Sequence, residues 1–200
     1  YYRLSGYWYP FRQRSGLLVV LDPQGRKPAR PGKVETLALD HFKPGATFQA
    51  ALALYVFDKQ LRLLVLDALE RIEVALRVDI AHTLGKLDPF AHLDPQHFHP
   101  DFSREAQKGT VMTSRHQAWL AKQEKLIKRS KEDFVIHNLA RYGSPMVIWV
   151  ACEIWDFGTL SLLYSGMREA EQDAISARYG VQNGRIFATW LRSLNYLRNV

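Results

Sequence analysis

The sequence has a single cysteine, Cys152, among its 200 residues. One cysteine excludes both an internal disulfide framework and a zinc site built from several thiolates. A chain so poor in cysteine fits the reducing cytoplasm, and we expect a cytoplasmic location.

Long apolar runs and nucleotide-binding motifs are also missing. The longest stretch without a charged residue extends from Pro44 to Phe57, whereas a membrane-spanning helix needs about 20 apolar residues. The glycines near the N-terminus form no phosphate-loop pattern. We therefore expect no membrane-spanning helix, no membrane partner and no cofactor.

Acidic residues are in the minority. The chain has 27 lysines and arginines against 20 aspartates and glutamates, a formal net charge of +7. Such a balance favours an anionic partner, and nucleic acid is the first candidate, ahead of an acidic membrane surface. Apolar residues make up 47% of the chain, which is enough for a packed core and excludes a disordered protein.

The positive charge is concentrated in two regions on a nearly neutral background. The first region, residues 1–33, contains Arg3, Arg12 and Arg14 and has one acidic residue, Asp22. The second region, residues 101–131, contains the candidate RNA-binding residues Lys122, Lys125, Lys128 and Arg129. Aromatic residues lie between the N-terminal cations: Tyr7, Trp8, Tyr9 and Phe11. Their rings are suited to stacking on RNA bases, although a place in the protein core is the commoner role for such residues.

The pattern of apolar residues predicts a mainly α, single domain over residues 1–200, with a small β-hairpin near the N-terminus at about 16–39. A long helix is expected from a cap at Thr47 to Leu84, with Gly85 beyond its end. Shorter helices are expected over 1–9, from about 113, over 131–142, 146–154, 160–167 and 169–179, and from 184 onwards. The chain starts without methionine and stops inside a predicted helix, as an excised fragment truncated at both ends would.

The long helix is apolar around most of its circumference. On a helical wheel its core face consists of Leu61, Val65, Leu69, Ile72 and Leu76, extended by Leu64, Ala68 and Ala75. Asp58/Arg62, Asp67/Arg71 and Glu73/Arg77 have the spacing of ordinary helix ion pairs. The alternative is that Glu70, Glu73 and Arg77 face an inward polar site.

The last helix places a cation where apolar side chains are expected. Phe187, Leu191, Leu194, Trp190, Leu197 and Ile186 form one side, and Arg185, Arg192 and Asn199 lie opposite. Arg198 falls on the apolar side, where its charge needs a carboxylate, a phosphate or a partner chain. The wheel therefore predicts Arg198 beside Glu70 or Glu73. A purely structural ion pair is the alternative to a phosphate ligand.

Two other groups of reactive residues carry weaker signals. His92, His97 and His99 lie near Asp88, Asp94 and Asp101, but in a proline-rich loop without the helical spacing that would converge metal ligands, and we expect no metal site. Cys152 lies in an apolar run and is expected to be a small core residue.

Four segments together resemble a known family. They are YYRLSGYWYPFR (1–12), YVFDKQLRLLVLDALERIEVALR (55–77), WVACEIWDFGTLSLLY (149–164) and WLRSLNYLRNV (190–200). In this order they are similar to the AbiD/AbiF family of bacterial abortive-infection proteins. The resemblance implies a helical HEPN-superfamily fold, a role in phage defence, and RNA as partner, both as target and, as a candidate, as a small non-coding antitoxin RNA.

The resemblance also implies catalytic residues. The HEPN signature is Arg-Asn or Arg-polar followed a few residues later by His, and Arg198 and Asn199 match its first two positions. The histidine would lie beyond Val200. Such an Arg and His pair is sufficient for metal-independent RNA cleavage. HEPN proteins are commonly dimers, which would explain an arginine on an apolar face.

These observations leave three function classes open. We expect an RNA-cleaving toxin or defence effector first, since the basic regions and Arg198-Asn199 serve it together. A non-cleaving RNA-binding protein would use the same basic regions. A helical protein-interaction module would instead expose an apolar patch and have no salt-dependent affinity for RNA.

Overall fold

A computed structural model describes residues 2–16, 36, 38–108 and 111–199, with the side chains of Tyr2, Arg3, Gln107, Lys108 and Val111 left aside. These residues divide into two compact units, 1–65 and 66–200. Helices dominate both units, which confirms the mainly α prediction. No helix in the described ranges combines the length and apolar character needed to cross a bilayer.

The first unit combines a short helix with an antiparallel strand pair. Helix α1 (Tyr2–Trp8) ends in a 3₁₀ turn, Tyr9–Phe11, because Pro10 disfavours a continuing helix. Strand β1 (Arg12–Arg14) pairs with β2 (Ala38–Phe42). The Trp8 ring packs between the rings of Phe42 and Phe48, so this predicted stacking residue serves the packing of its own unit.

The predicted hairpin strands, 16–21 and 34–39, fall mostly outside the described residues. Residues 38 and 39 of the second predicted strand belong to β2, in which Ala38 lies opposite Arg14 and Phe42 lies opposite Arg12.

Helix α2 (Phe48–Gly85) begins where the sequence predicts, because the Thr47 hydroxyl accepts a hydrogen bond from the Ala50 N–H at 3.2 Å. Gly85 is the last helical residue, and it is not among the glycines with positive φ, so its expected role as a glycine beyond the helix end is wrong. The three predicted helix ion pairs all form, at 2.8 to 3.2 Å.

Within the described residues, the second unit adds seven α-helices and two strands after α2. They are α3 (Pro100–Ser103), the strand pair β3 (Ala106–Lys108) and β4 (Val111–Thr113), α4 (Arg115–Arg129), α5 (Asp133–Tyr142), α6 (Ile148–Ala151), α7 (Phe157–Gly166), α8 (Glu169–Arg178) and α9 (Gly184–Arg198). The predicted helices are confirmed with shifts of a few residues at their ends. Helix α3 and the β3–β4 pair were not predicted.

The core of the second unit forms around the C-terminal part of α2. Leu69 and Leu76 are buried as the wheel predicts, whereas Leu61 and Leu64 are 46% and 71% exposed, so the predicted core face extends too far towards the N-terminus. Trp119 and Trp155 meet edge to face in this core, with ring centroids 5.2 Å apart. Burial of large aromatic rings is a major source of its stability.

Helices α7 and α9 join this core through close contacts. A β-carbon at Gly166 would lie 2.3 Å from the Phe102 ring, so only glycine fits at the end of α7. Phe187 and Leu191 of α9 are buried, as predicted. Ile186, Trp190 and Leu197 are each about half exposed, so their predicted place in the core is wrong: the core reaches only the Phe187–Leu191 side of α9.

Candidate functional site

The cation singled out by the sequence, Arg198, lies on the last turn of α9. The helix is capped by Asn183, whose side-chain oxygen accepts a hydrogen bond from the Ile186 N–H at 3.0 Å. Burial of Phe187 and Leu191 fixes the rotation of the helix about its axis. These contacts direct the side chain of Arg198 towards α2.

Arg198 pairs with Glu73 on α2. Its Nη2 lies 3.2 Å from Glu73 Oε2, while Glu73 Oε1 lies 3.2 Å from Nη2 of Arg77. The Glu73 side chain is 11% exposed and that of Arg198 is 39% exposed. The predicted proximity of Arg198 to this carboxylate is thereby confirmed. One buried carboxylate holds two guanidinium groups, and one of them remains accessible to solvent.

Arg77 connects this pair to the chain before α7. It donates a hydrogen bond to the Trp155 carbonyl oxygen at 3.2 Å and lies 3.6 Å from the carboxylate of Glu153. Its Nε is buried without a partner within the described residues. Glu70 is exposed, so the structure brings together Glu73 and Arg77 of the predicted polar group, adds Glu153, and leaves Glu70 aside.

Asn199 follows as the C-terminal cap of α9. Its N–H donates to the Tyr196 carbonyl oxygen at 3.0 Å, and its side chain is exposed. Asn199 is next to Arg198 in the chain but takes no part in the cluster of ion pairs formed by Glu73, Arg77, Arg198 and Glu153, which we call the Glu73 group.

The N-terminus of α7 forms a second polar group next to Trp155. Asp156 caps the helix by accepting a hydrogen bond from the Thr159 N–H at 2.6 Å, and Lys122 of α4 lies 3.5 Å from its carboxylate and 3.0 Å from the Thr159 hydroxyl. Partial burial raises the pKa of Asp156, but the hydrogen bonds from Thr159 and the charge of Lys122 outweigh it and the net pKa is lowered.

Polar contacts therefore run from α9 to α4. Arg198, Glu73 and Arg77 reach the carbonyl of Trp155, and the next residue, Asp156, holds Lys122. Sequence reasoning missed Glu153 and Asp156. For Asp156 a signal exists, since an aspartate directly before a helix is a common cap, but its pairing with Lys122 depends on tertiary packing.

The predicted RNA-binding residues differ in whether their charged groups are already paired with acidic side chains. In the first unit Arg12 pairs with Asp40 at 3.1 Å and Arg14 lies over the Tyr9 ring, while the side chain of Arg3 is outside the description. On α4, Lys122 is held by Asp156 and Lys128 pairs with Glu124 at 2.6 Å. Lys125 and Arg129 are exposed and have no ion-pair partner among the described residues.

The remaining reactive side chains serve the core or the loops. No group of three potential metal ligands occurs among the described residues. His99 caps α3 through its Nδ1, 3.2 Å from the Asp101 nitrogen. Cys152 is buried, and burial raises the pKa of its thiol to about 11, so it stays protonated as a core residue.

His92 and His116 are core residues of the second unit. The ring of His116 donates to the His92 carbonyl oxygen at 2.9 Å, and the His92 ring packs beside Trp155. Burial lowers the pKa of His92 to about 4 and also lowers the pKa of His116. Both rings are therefore neutral at physiological pH.

This burial makes stability depend on pH. Below the pKa of His92 in the unfolded chain, about 6.5, the unfolded state binds a proton that the folded state excludes until about pH 4. We expect the free energy of unfolding to fall between pH 7 and 5 by about 2 kcal/mol from His92, measured by urea denaturation.

The variant His92→Gln should reduce this dependence, whereas His137→Gln, at an exposed position, should leave it intact. Equal stability of the unchanged protein at pH 7 and pH 5 would contradict the burial of neutral histidines.

The two guanidinium groups define what the Glu73 group can do chemically. A half-exposed arginine held in place by a buried carboxylate can offer its remaining donors to a phosphate without first losing side-chain freedom. Arg77 is already paired with Glu73 and Glu153, so the guanidinium that is open to an anion is that of Arg198. The arrangement is suited to binding an anion near α9.

Comparison with known proteins identifies one similarity. A family model described as Abi-like protein matches residues 1–200. No curated protein and no solved structure is significantly similar to the chain.

Proposed function

The chain belongs to the Abi-like protein family, an abortive infection family, and from this premise we propose that it is a phage-defence effector that acts on RNA. The proposal extends to a HEPN-type endoribonuclease that needs no metal. The observation that carries it is the guanidinium of Arg198, half exposed and held by the buried carboxylate of Glu73.

In the proposed reaction Arg198 stabilises the negative charge that develops on the scissile phosphate. A general base takes the proton of the RNA 2′-hydroxyl, the 2′-oxygen bonds to phosphorus, and the bond to the 5′-oxygen breaks as that oxygen gains a proton. Histidine suits the proton transfers because it titrates near neutral pH. In the motif that Arg198 and Asn199 match, this histidine would follow Val200, and Asn199 would orient it or hold a phosphate oxygen.

The RNA backbone would extend from Arg198 towards α4. The polar contacts from α9 to Lys122 support this path, since they join the proposed phosphate site to the basic helix. Lys125 and Arg129 have the freest charges there, whereas Lys122 and Lys128 are already paired with acidic residues. Phosphate contacts of this kind give affinity without sequence preference.

This interface predicts a particular salt dependence. Replacing Lys125 and Arg129 together by alanine should weaken binding to all single-stranded RNA sequences alike and reduce the slope of log K against log salt by about 1.4. The measurement is fluorescence anisotropy of labelled RNA over a salt series. Adding Lys122→Ala and Lys128→Ala should change the slope less per residue, because their charges are partly neutralised.

The matched control removes two exposed cations outside the basic regions, Lys59 and Arg141, and should leave the slope unchanged. An unchanged slope in the Lys125 and Arg129 variant would show that α4 is merely a solvated face.

RNA affinity without cleavage would favour the non-cleaving RNA-binding alternative. The absence of salt-dependent RNA affinity would favour a protein-interaction module.

The proposal includes a homodimer. Ile186, Trp190 and Leu197 leave an apolar strip on α9, each about half exposed, beside Arg198. A second copy covering this strip would bring two arginines together, as the resemblance to HEPN proteins implies. Trp190→Glu should then convert a dimer to a monomer in light scattering, whereas Arg192→Glu should not. A monomeric unchanged protein at micromolar concentration would contradict the dimer.

A further inference from the structure

A cleft lies in the second unit beside α4, apart from Arg198. Its volume is about 600 Å³, within the range of sites for small organic ligands. The wall is mostly apolar: Leu93, Leu120, Ile127, Leu139, Met146 and Ala151 contribute to it. Of the remaining lining residues, Gln123, His92 and Trp155 carry the argument.

These three residues contain buried polar atoms with no hydrogen-bond partner within the described chain. The atoms are both amide atoms of Gln123, Nε1 of Trp155 and Nδ1 of His92. Each of the three residues is at least nine-tenths buried. Buried polar groups in native proteins are nearly always paired, so four unpaired atoms in three residues that line one cleft require an explanation.

A second buried glutamine shows the ordinary arrangement. Gln172 is 5% exposed, as is Gln123, but its amide nitrogen donates to the carbonyl oxygens of Tyr164 and Met167, both at 3.0 Å. The packing of this unit can therefore satisfy a buried amide. Gln123 differs because it lines a cleft and its buried amide has no hydrogen-bond partner among the described residues.

The available groups define a complementary ligand. The Gln123 amide offers a donor and an acceptor side by side, and the Trp155 indole offers a donor. The charged lining residues, Glu124 and Lys128, pair with each other at 2.6 Å, and the buried His92 ring is neutral. A charged ligand would lose its hydration without gaining a counter-charge. The ligand should be uncharged, apolar on its faces and polar along one edge.

We propose that this cleft binds a nucleobase, a planar uncharged heterocycle whose edge pairs with the amide of Gln123. The amide is shielded from the cleft in this structure, so binding requires a rotation about the Gln123 side-chain bonds that turns it towards the ring, while the apolar wall packs against the ring faces. The base can come from a free nucleoside or from an unstacked residue of single-stranded RNA. The site does not depend on cleavage at Arg198, so it stands if the proposed reaction fails.

The test compares ligands on the unchanged protein and on Gln123→Met, which keeps the side-chain volume and removes the amide. The probes are the four ribonucleosides, their single-stranded hexanucleotides, and naphthalene as an apolar planar ring, titrated by NMR. We expect saturable binding of at least one nucleoside, weakened about tenfold or more by Gln123→Met, and naphthalene binding unchanged. Ala121→Trp, which fills the cleft from an exposed position on its wall, should block both kinds of ring.

The hexanucleotides distinguish a base that belongs to single-stranded RNA from a free nucleoside. A hexanucleotide that binds more tightly than its nucleoside and loses the same factor in Gln123→Met identifies an RNA base, and equal affinities identify a free nucleoside. The melting temperature gives an independent readout: it should rise in ligand-free Gln123→Met and fall in the matched control, Gln172→Met. No saturable binding at millimolar nucleoside, or unchanged nucleoside affinity in Gln123→Met, would overturn the proposal.

Discussion

Replacement of Glu73 by alanine is expected to lower the free energy of unfolding by about 3 kcal/mol, since removing one partner of a buried ion pair leaves an uncompensated charge. Glu73 is 11% exposed and holds both Arg77 and Arg198. Without it, the partners that Arg77 retains among the described residues are the half-exposed Glu153 and the carbonyl of Trp155. Arg198 can turn to solvent, which limits the loss.

Urea denaturation measures this effect, and Glu70→Ala is the matched control. Glu70 lies on the same helix but is exposed, so its removal should change stability by less than about 0.5 kcal/mol. Glu73→Gln should lie between the two, because it keeps the shape and loses the charge. Equal effects of Glu73→Ala and Glu70→Ala would contradict the assignment of Glu73 as the centre of the polar group.

If the proposed reaction occurs, replacement of Arg198 by alanine should reduce RNA cleavage by about 100-fold or more and abolish growth arrest, while the fold and RNA affinity stay largely intact. The loss follows because the guanidinium would no longer stabilise charge on the phosphate. Stability is preserved because Glu73 still pairs with Arg77. Arg198→Lys should fail almost as badly, since lysine keeps the charge and loses the planar fork of donors.

Arg192→Ala provides the control for this effect. Arg192 is exposed on the same helix, six residues before Arg198, and its replacement should leave cleavage unchanged. A fall of many degrees in the melting temperature of Arg198→Ala would instead make Arg198 a structural ion-pair residue.

Periodicity on two helices predicted the central contact of this structure. An arginine on the apolar side of α9 needs a carboxylate, and Glu73 on α2 supplies it. The same wheels were wrong about Leu61, Leu64 and Trp190, which are exposed. A helical wheel orders residues around an axis but does not tell how far the core extends along the helix.

Features that depend on tertiary contacts could not be predicted. Nothing local indicates that Arg77 reaches the carbonyl of Trp155, or that Lys122 pairs with Asp156. The two buried glutamines make the same point, since Gln123 and Gln172 differ only in what packs against their amides. Pairing of a buried polar atom is a property of the assembled core.

The most direct test of the proposed function is cleavage of labelled single-stranded RNA by the full-length natural protein in the presence of a chelator. The account predicts products with 2′,3′-cyclic phosphate and 5′-hydroxyl ends, formed by the unchanged protein and by Arg192→Ala but not by Arg198→Ala. Cleavage by Arg198→Ala at the rate of the unchanged protein would contradict it.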